Sequence, residues 1–121
     1  MIIEAEILNQ PRTFFVDSRW EYSPLDPLAV EVVFGREGPT WAFALDLLMD
    51  AFTSPEGLLH GCGDFLIEVG ENFTQIHLSN GRDAASLQFS TADIWSFLEG
   101  IDIPGSNEVI ANKLDEFLET L

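Results

Sequence analysis

The sequence predicts an α+β domain in which antiparallel sheets of about seven strands are flanked by three helices. Several short segments alternate apolar and polar residues, which is the pattern of half-buried strands. The connections between neighbouring strand segments are of hairpin length, and such connections favour antiparallel pairing. Three further segments carry apolar residues at helical spacing, so helices are expected on one side of the sheets.

The first part of the chain alternates between strand-like and turn-like sequence. In the first strand Ile3 and Ala5 share one face, opposite glutamates. In the third strand Val30, Val32 and Phe34 share one face. Segments containing proline or glycine separate these strands. The four strands predicted here are 2–8, 13–22, 28–35 and 40–44.

The fourth strand leads directly into a helix. Trp41 and Phe43 alternate with alanines, which places both aromatic side chains on one face of the strand. From Leu45 the apolar residues follow helical spacing, and Pro55 and Gly57 end the helix. We therefore expect Trp41 and Phe43 to be core residues that hold the first helix on the sheet.

The second half of the chain predicts three strands followed by two helices. Asn80 and Gly81 both tolerate positive φ and mark the strongest turn. Ser90 and Asp93 have the spacing of a helix-capping pair, and Gly100 suits the end of that helix. The strands are 63–69, 73–79 and 84–90, and the last helix is 107–120, with its apolar stripe at Ile110, Leu114, Phe117 and Leu121.

Length and composition are those of a single domain spanning residues 1–121. Hydrophobic residues make up 46% of the chain, which is enough for a sizeable core. No apolar run approaches the roughly 20 residues of a membrane helix, and the first residues lack the pattern of a signal peptide. Cys62 is the single cysteine, so no internal disulfide forms. We expect a cytoplasmic protein.

Charge is the strongest compositional feature. Five Lys and Arg stand against 21 Asp and Glu, a formal net charge of −16. Nucleic-acid binding depends on basic side chains that neutralise phosphates, so this balance argues against nucleic acids and anionic membranes as partners. It favours a protein partner or a cationic surface, with solubility alone as the equal alternative. The basic residues, which form no cluster in the sequence, are Arg12, Arg19, Arg36, Arg82 and Lys113.

Candidate catalytic and metal-binding residues are few. His60 and Cys62 stand two apart, with Asp64 beyond them, and such spacing permits contact in a strand. The surrounding glycines instead favour the start of a strand with an ordinary thiol. Two histidines and one cysteine supply no zinc set, and Asp46 and Asp50 fit a solvated helix face better than a calcium loop. Without a phosphate-binding motif either, we expect no enzyme activity, cofactor or metal.

Four motifs together resemble those of the SsgA-like sporulation and cell-division proteins of actinobacteria. They are an Asp-Pro-x-Ala-Val strand, a Trp-x-Phe-Ala-x-Asp-Leu-Leu segment, a Pro-x-Gly loop and a Gly-Asp pair at the start of a strand. The motifs occur in the family's order, and the resemblance covers about the whole chain. The matching residues are Asp26, Pro27, Ala29, Val30, Trp41, Phe43, Ala44, Asp46, Leu47, Leu48, Pro55, Gly57, Gly63 and Asp64.

The resemblance implies a non-enzymatic adaptor. It implies a whirly-like fold, with two antiparallel sheets flanked by helices, assembled as a homotrimer. It also implies recruitment to division septa, through contacts with proteins such as the tubulin-like FtsZ or a paralogue of the chain's own family. Whirly-like folds elsewhere bind single-stranded nucleic acid, but the basic groove that this requires is missing from the sequence.

Two departures from the family pattern bear on the choice of partner. The family's arginine in Phe-Ala-Arg-Asp is Leu45 here, and extra residues stand between Gly57 and Gly63. We interpret the start of the first helix, with Leu45, Asp46 and Asp50, as a partner-binding surface whose partner differs from that of arginine-bearing relatives. The alternative is that Leu45 only packs, since a leucine and an arginine stem cover similar apolar surface.

Two other functions stay open on the sequence. One is an unrelated acidic binding domain, such as a phage or regulatory protein or a small-molecule carrier. The other is a whirly-like binder of single-stranded nucleic acid, which the net charge of −16 disfavours.

Overall fold

The computed structural model describes residues 1–101, which form one antiparallel sheet and two helices. The strands are β1 (Ile2–Ile7), β2 (Phe14–Tyr22), β3 (Ala29–Phe34), β4 (Thr40–Ala44), β5 (Leu59–Cys62), β6 (Phe65–Val69), β7 (Phe73–Ser79) and β8 (Ala84–Ser90). The helices are α1 (Leu45–Thr53) and α2 (Thr91–Glu99). The third predicted helix, 107–120, lies outside the described residues.

The eight strands form a single sheet in the order β4-β3-β2-β1-β8-β7-β6-β5. The α+β class is confirmed, but the prediction of two separate sheets is wrong. β1 and β8 pair through Ala5 with Phe89 and Ile7 with Leu87, and this pairing joins two four-stranded halves. The joined residues lie far apart in the sequence, so no turn signal announces their contact.

The prediction of about seven strands is one strand short. The additional strand, β5, pairs with β6 from Leu59 opposite Glu68 to Cys62 opposite Phe65. Gly63 and Asp64 form the turn between these strands and do not begin a strand as predicted. Gly63 has a φ of 64°, which suits the first loop position of a type II′ hairpin.

The sheet curls into a half-barrel whose two edges approach each other. Helix α1 lies in the gap between them, since it contacts β4 at one edge and β5 and β6 at the other. The concave face therefore encloses the core between the strands and the two helices.

The core is centred on Trp20, which is fully buried on the concave side of β2. The rings of Phe43, Phe89 and Phe97 each lie 5.7 Å from the Trp20 ring, measured between centroids, in edge-to-face arrangements. Such aromatic contacts add about 0.5–1.5 kcal/mol per pair beyond the burial of apolar area. The alternation predicted for β1 and β3 is confirmed: their core-facing residues Ile3, Ala5, Val30, Val32 and Phe34 are buried.

A buried polar pair interrupts this apolar core. The Ser18 hydroxyl donates to the Ile3 carbonyl at 2.6 Å and accepts the Trp20 indole N–H at 2.9 Å. Ser18 is fully buried, so both hydrogen bonds replace water that these groups lose on folding.

The turn predicted between β7 and β8 and the cap predicted for α2 are both present, although only Gly81 of the Asn80–Gly81 pair has a positive φ. The Asn80 side-chain oxygen accepts the backbone N–H groups of Arg82 and Asp83 at 2.9 and 2.7 Å, which fixes the loop between β7 and β8. The Ser90 hydroxyl accepts the Asp93 N–H at 3.3 Å and caps α2. The helix ends at Gly100, as predicted.

Candidate functional site

The predicted partner-binding surface at α1 divides into a buried part and an exposed part. Leu45, the first residue of α1, is only 6% exposed and belongs to the core. Its N–H donates to the Leu28 carbonyl at 2.9 Å, which ties the start of the helix to the beginning of β3. Leu45 is therefore a packing residue, and its prediction as a surface contact is wrong. Asp46 and Asp50 are both exposed, one helical turn apart.

The two aromatic residues of β4, Trp41 and Phe43, also differ in burial. Phe43 is 1% exposed, as predicted for a core residue. Trp41 is only half-buried and packs against the margin of the core, so its prediction as a core residue is confirmed only in part. The reason is its place on the strand: Trp41 lies one residue from the start of β4, where the half-barrel opens.

The remaining residues of the four motifs occupy three kinds of position. Val30 and Leu48 are buried, and Leu47 is half-buried. Asp26 and Pro27 lie in the exposed loop between β2 and β3, where the Pro27 carbonyl accepts the Tyr22 hydroxyl at 3.2 Å. The others are Ala29 at the start of β3, Ala44 at the end of β4, Pro55 and Gly57 in the exposed loop after α1, and Gly63 and Asp64 in the β5–β6 turn.

Hairpin loops alternate between the two ends of an antiparallel sheet, and the charges follow this alternation. The loops 8–13, 35–39, 63–64 and 80–83 all lie at one end, called here the loop end. Arg12, Arg36 and Arg82 stand on three of these four loops and are exposed. The arginines, scattered in the sequence, are thus gathered at one end of the fold. The signal in the sequence that could have predicted this clustering is that Arg12, Arg36 and Arg82 stand in alternate hairpin loops.

The opposite end of the sheet is uniformly acidic. Four segments lie at this end or on the helices α1 and α2 that lead from it, and they contain no Lys or Arg. These segments are 23–28, 45–58, 70–72 and 91–101. Their acidic residues are Asp26, Asp46, Asp50, Glu56, Glu71, Asp93 and Glu99. The loop end carries Glu37, Asp64 and Asp83 beside its three arginines, so it is balanced in formal charge.

A groove of about 600 Å³ opens at the loop end. This loop-end groove is lined mainly by apolar side chains from six strands, including Ile7, Val16, Phe34, Trp41, Leu78 and Leu87. Asn80 and Asp83 of the β7–β8 loop and Pro39 of the β3–β4 loop stand at its rim. The half-exposed Trp41 is the largest side chain that it offers to a ligand.

A second groove, of about 710 Å³, lies between the start of β1, the end of β2 and α2. Its lining includes Met1, Tyr22, Phe97 and Ile101. Ile101 is the last described residue, so this groove adjoins the point at which the chain continues into residues 102–121.

Of the residues considered for nucleophilic or metal chemistry, His60 and Cys62 lie on β5, Asp64 lies in the β5–β6 turn, and Asp46 and Asp50 lie on α1. Cys62 is exposed, and His60 is partly buried with no hydrogen-bond partner for its Nε2 atom within residues 1–101. Over the same residues, no three His, Cys, Asp or Glu side chains are grouped as a metal site would require. Neither of the two described helices has the length and apolarity needed to cross a membrane.

Comparison with known proteins gives a family match. The family of the Streptomyces sporulation and cell division protein SsgA matches residues 16–102, which is well over half of the chain. No curated protein sequence matches the chain.

Two solved structures share the fold. One is SsgB, described together with mutations that correlate to longitudinal cell division during sporulation of Streptomyces coelicolor; its TM-score is 0.70 at 23% identity, over 81% of this chain and 79% of that chain. The other is an SsgA-like sporulation-specific cell division protein from Thermobifida fusca, with a TM-score of 0.70 at 23% identity, over 100% of this chain and 93% of that chain.

Proposed function

Because the chain belongs to the SsgA family of sporulation and cell division proteins, we propose that it is a non-enzymatic adaptor in sporulation septation. It acts through protein–protein contacts with the division machinery, and it is recruited to division septa. The observation that carries this proposal is the family match over residues 16–102. The same match leaves no place for the alternative of an unrelated acidic binding domain.

The exposed acidic face of α1 is the first partner surface of this adaptor. Asp46 and Asp50 project from one side of the helix, and the segment 45–58 around them carries no basic residue. Exposed carboxylates at helical spacing suit a partner with complementary basic side chains, which they would attract and orient. FtsZ or a family paralogue is the proposed partner.

We further propose that the protein assembles as a homo-oligomer, with a trimer favoured. β4 and β5 are the outer strands of the sheet, and outer strands need cover against uncontrolled pairing. Leu58 and Leu59, at the β5 edge, are 51% and 58% exposed, as an apolar contact between subunits would require. Multi-angle light scattering at micromolar concentration measures the mass directly, and a monomer mass would contradict this part of the proposal.

Nucleic-acid binding is the less favoured alternative. Single-stranded nucleic acids bind along basic grooves in which aromatic rings stack on bases. The described basic residues are four arginines, and Arg19 is already paired with Glu21 at 2.9 Å. The remaining three stand beside three carboxylates at the loop end, which gives a polyanion no net attraction.

Direct binding to purified FtsZ tests the adaptor function. Co-sedimentation with FtsZ polymers should retain the wild-type chain and lose the variant Asp46→Lys/Asp50→Lys. A matched double reversal on exposed strand positions, Glu4→Lys/Glu31→Lys, should bind like the wild type. The same tests apply to a family paralogue, and a fluorescent fusion reports septal position in sporulating cells. Failure to bind either protein, together with diffuse fluorescence, would refute the proposal.

A further inference from the structure

We propose that an exposed apolar patch between α1 and α2 binds a basic amphipathic helix of a protein partner. The patch consists of Met49 and Phe52 on α1 and Trp95 on α2, and it is called here the α1–α2 patch. The apolar side of the partner helix covers the patch, and its arginines or lysines meet the carboxylates around it. This inference rests on the proposed function, because it deepens the partner surface assigned there to Asp46 and Asp50.

The α1–α2 patch is one continuous surface contributed by two helices. The rings of Phe52 and Trp95 are stacked, with centroids 6.0 Å apart and planes inclined by 16°. Met49 lies three residues before Phe52, so the two side chains are neighbours on the surface of α1. Met49 and Trp95 are 38% and 37% exposed. Single exposed apolar residues are ordinary, whereas several that lie together mark a site of interaction.

The packing of the two helices on the sheet does not require this exposed patch. Each helix already buries an apolar side against the sheet, and Met49 and Trp95 each follow directly after one of these buried residues, at the margin of the buried side. A polar side chain at either position would leave the core intact. The buried residues are Leu45, Leu48 and Ala51 on α1, and Ile94 and Leu98 on α2.

Exposed carboxylates flank the patch on both helices. Asp46 lies three residues before Met49, and Asp50 follows Asp46 by one helical turn. On α2, Glu99 follows Trp95 by one turn. All three carboxylates are exposed. Because residues three or four apart on a helix lie side by side, an acidic group adjoins the apolar surface at each of the two helices.

The charge of the surrounding segments has one sign. Segment 45–58 contains three carboxylates, segment 91–101 contains two, and neither contains Lys, Arg or His. The loop that carries Glu71 is held to the start of α2, since the Thr91 N–H donates to the Asn72 carbonyl at 3.0 Å. No arginine balances these groups, in contrast to the loop end. The charges therefore select a cationic partner.

A basic amphipathic helix matches both parts of this surface. Its apolar residues, spaced three and four apart, form a stripe that packs on the three side chains of the patch. The flexible thioether of Met49 adapts to different apolar neighbours. Basic residues on either side of the stripe reach Asp46 on α1 and Glu99 on α2, and a cation above the Trp95 ring gains a cation–π contact.

The same charges disfavour the other occupants. Segment 102–121 of the chain itself contains five Asp and Glu and one lysine, so its carboxylates would face those around the patch. A second copy that bound through the same patch would bring an identical acidic surface to it. Like charges brought together oppose both associations. Nucleic acids and anionic membranes are repelled for the same reason.

Fluorescence anisotropy on the full chain tests the inference. The probe is a fluorescein-labelled synthetic peptide with leucines three and four residues apart, arginines beside them, and alanine and glutamine elsewhere. The wild-type chain should bind it, more weakly as salt is raised. A peptide with Glu in place of every Arg should not bind at the same protein concentration. A scrambled peptide of the same composition, without the leucine stripe, should bind about fivefold more weakly or worse.

Charge-reversal variants locate the acidic contacts. Asp46→Lys/Glu99→Lys should weaken binding by about fourfold or more, because each exposed ion pair contributes a factor of roughly 1.4 to 5 and reversal turns its attraction into repulsion. The matched control is Glu4→Lys/Asp17→Lys, on exposed positions of the outer face of the sheet. It changes the net charge equally and should alter binding by less than about twofold.

Neutral variants test the apolar contact without altering charge. Met49→Gln/Trp95→Gln should weaken binding by about fivefold or more, as is typical for the loss of a central apolar anchor. Phe15→Gln, at an exposed apolar residue on the outer face of β2, is the control and should change binding by less than about twofold. Circular dichroism melting checks folding. Met49→Gln alone, at an exposed helix position, replaces the double variant if that does not fold.

Several results would overturn the inference. They are equal binding of the Glu peptide or of the scrambled peptide, and an outer-face reversal that weakens binding as much as Asp46→Lys/Glu99→Lys. Unchanged binding by a folded Met49→Gln/Trp95→Gln variant would also contradict it. In that case the patch would attract basic peptides through its charge alone, or not at all.

Two further results would replace the partner helix by another occupant. If the wild-type chain bound no peptide and Phe117→Asp bound it, the chain's own C-terminal segment would cover the patch. If Trp95→Gln lowered the mass measured by light scattering, a second copy would cover it. Absence of binding by every variant would also refute the inference. The peptide assay contains no division protein, so its failure leaves the proposed function to FtsZ co-sedimentation and septal localisation.

Discussion

The rings of Phe43 and Phe65 lie 4.6 Å apart between centroids, although their strands are the first and the seventh in the sheet. This contact closes the half-barrel from within, on the side where α1 spans the gap between β4 and β5. Phe43 also touches the central Trp20 ring. A single side chain thereby links the two four-stranded halves and the centre of the core.

Truncation of Phe43 should therefore be severe. We expect Phe43→Ala to lower the free energy of unfolding by about 3–5 kcal/mol, because it removes a fully buried aromatic side chain and leaves a cavity. Urea denaturation followed by circular dichroism measures the change. Native domains have a total stability of about 5–15 kcal/mol, so this loss is a large share of it.

Trp41→Ala serves as the comparison. The Trp41 side chain is half-exposed at the loop-end groove, so it loses less contact area on truncation than a buried ring of similar size. We expect a loss smaller than that of Phe43→Ala, although tryptophan is the larger residue. An equal or larger loss would place Trp41 in the core, against the structure.

The hydroxyl of Ser18 should matter more than its size suggests. Ser18→Ala removes the acceptor of the Trp20 indole N–H and the donor to the Ile3 carbonyl, and both partners remain buried. An unpaired buried polar group costs about 1–3 kcal/mol, so we expect a loss of that order. Thermal and urea unfolding are the measurements.

A double-mutant cycle with Trp20→Phe isolates the indole contact. In the Trp20→Phe background the N–H is absent, so the further cost of Ser18→Ala should fall by about 1 kcal/mol, which is the net value of a typical hydrogen bond. Additive losses from the two substitutions would show that the bond between the indole and the hydroxyl contributes nothing.

Local patterns in the sequence predicted most of the elements because each of them has a local physical cause. The alternation in β1 and β3, the Asn80 turn and the Ser90 cap all depend on residues within a few positions of one another, and all are found as expected. β5 was missed for the same reason. Its residues are mostly exposed, so Leu59 to Cys62 show no alternation, and only pairing with β6 makes them a strand.

Long-range features could not be read in this way. The pairing of β1 with β8 depends on the whole sheet, and it decides that there is one sheet where two were expected. The candidate surfaces follow from the same topology. Arg12, Arg36 and Arg82 come to the same end of the sheet only when their hairpin loops are assigned to it, and Leu45 becomes a core residue only when α1 docks on both edges.

Two glycines after α1 provide a test of the β5 backbone. Gly61 and Gly57 both have positive φ, 98° and 82°, so alanine is strained at either position. A Cβ atom at Gly61 would clash with the Phe65 carbonyl oxygen, whereas one at Gly57 would meet nothing within 4 Å. We expect Gly57→Ala to cost about 1–2 kcal/mol and Gly61→Ala distinctly more. Equal melting temperatures for the two variants would argue against the β5–β6 pairing.

Substitutions at the start of α1 separate packing from recognition. Leu45→Met keeps the volume and apolar character of a buried side chain, so it should cost less than about 1.5 kcal/mol and leave FtsZ binding unchanged. Leu45→Arg places a cation at a helix N-terminus, which opposes the helix dipole, and requires the arginine stem to replace the leucine in the core. We expect it to lower stability by about 1–3 kcal/mol, most of that from altered packing.

Substitution of the exposed Asp46 and Asp50 should instead affect FtsZ binding and leave stability nearly unchanged. Asp46 and Asp50 are exposed, so Asp46→Asn/Asp50→Asn should change stability by no more than about 0.5 kcal/mol, as is typical of surface substitutions. The same variant should weaken FtsZ co-sedimentation, because it removes two charges from the proposed contact and leaves their shape. Measuring melting and binding on the same preparations gives two independent readouts.

A Leu45→Arg variant that melts like the wild type but binds a different set of proteins would return Leu45 to the partner surface. Normal binding by the double Asn variant would move that surface away from α1.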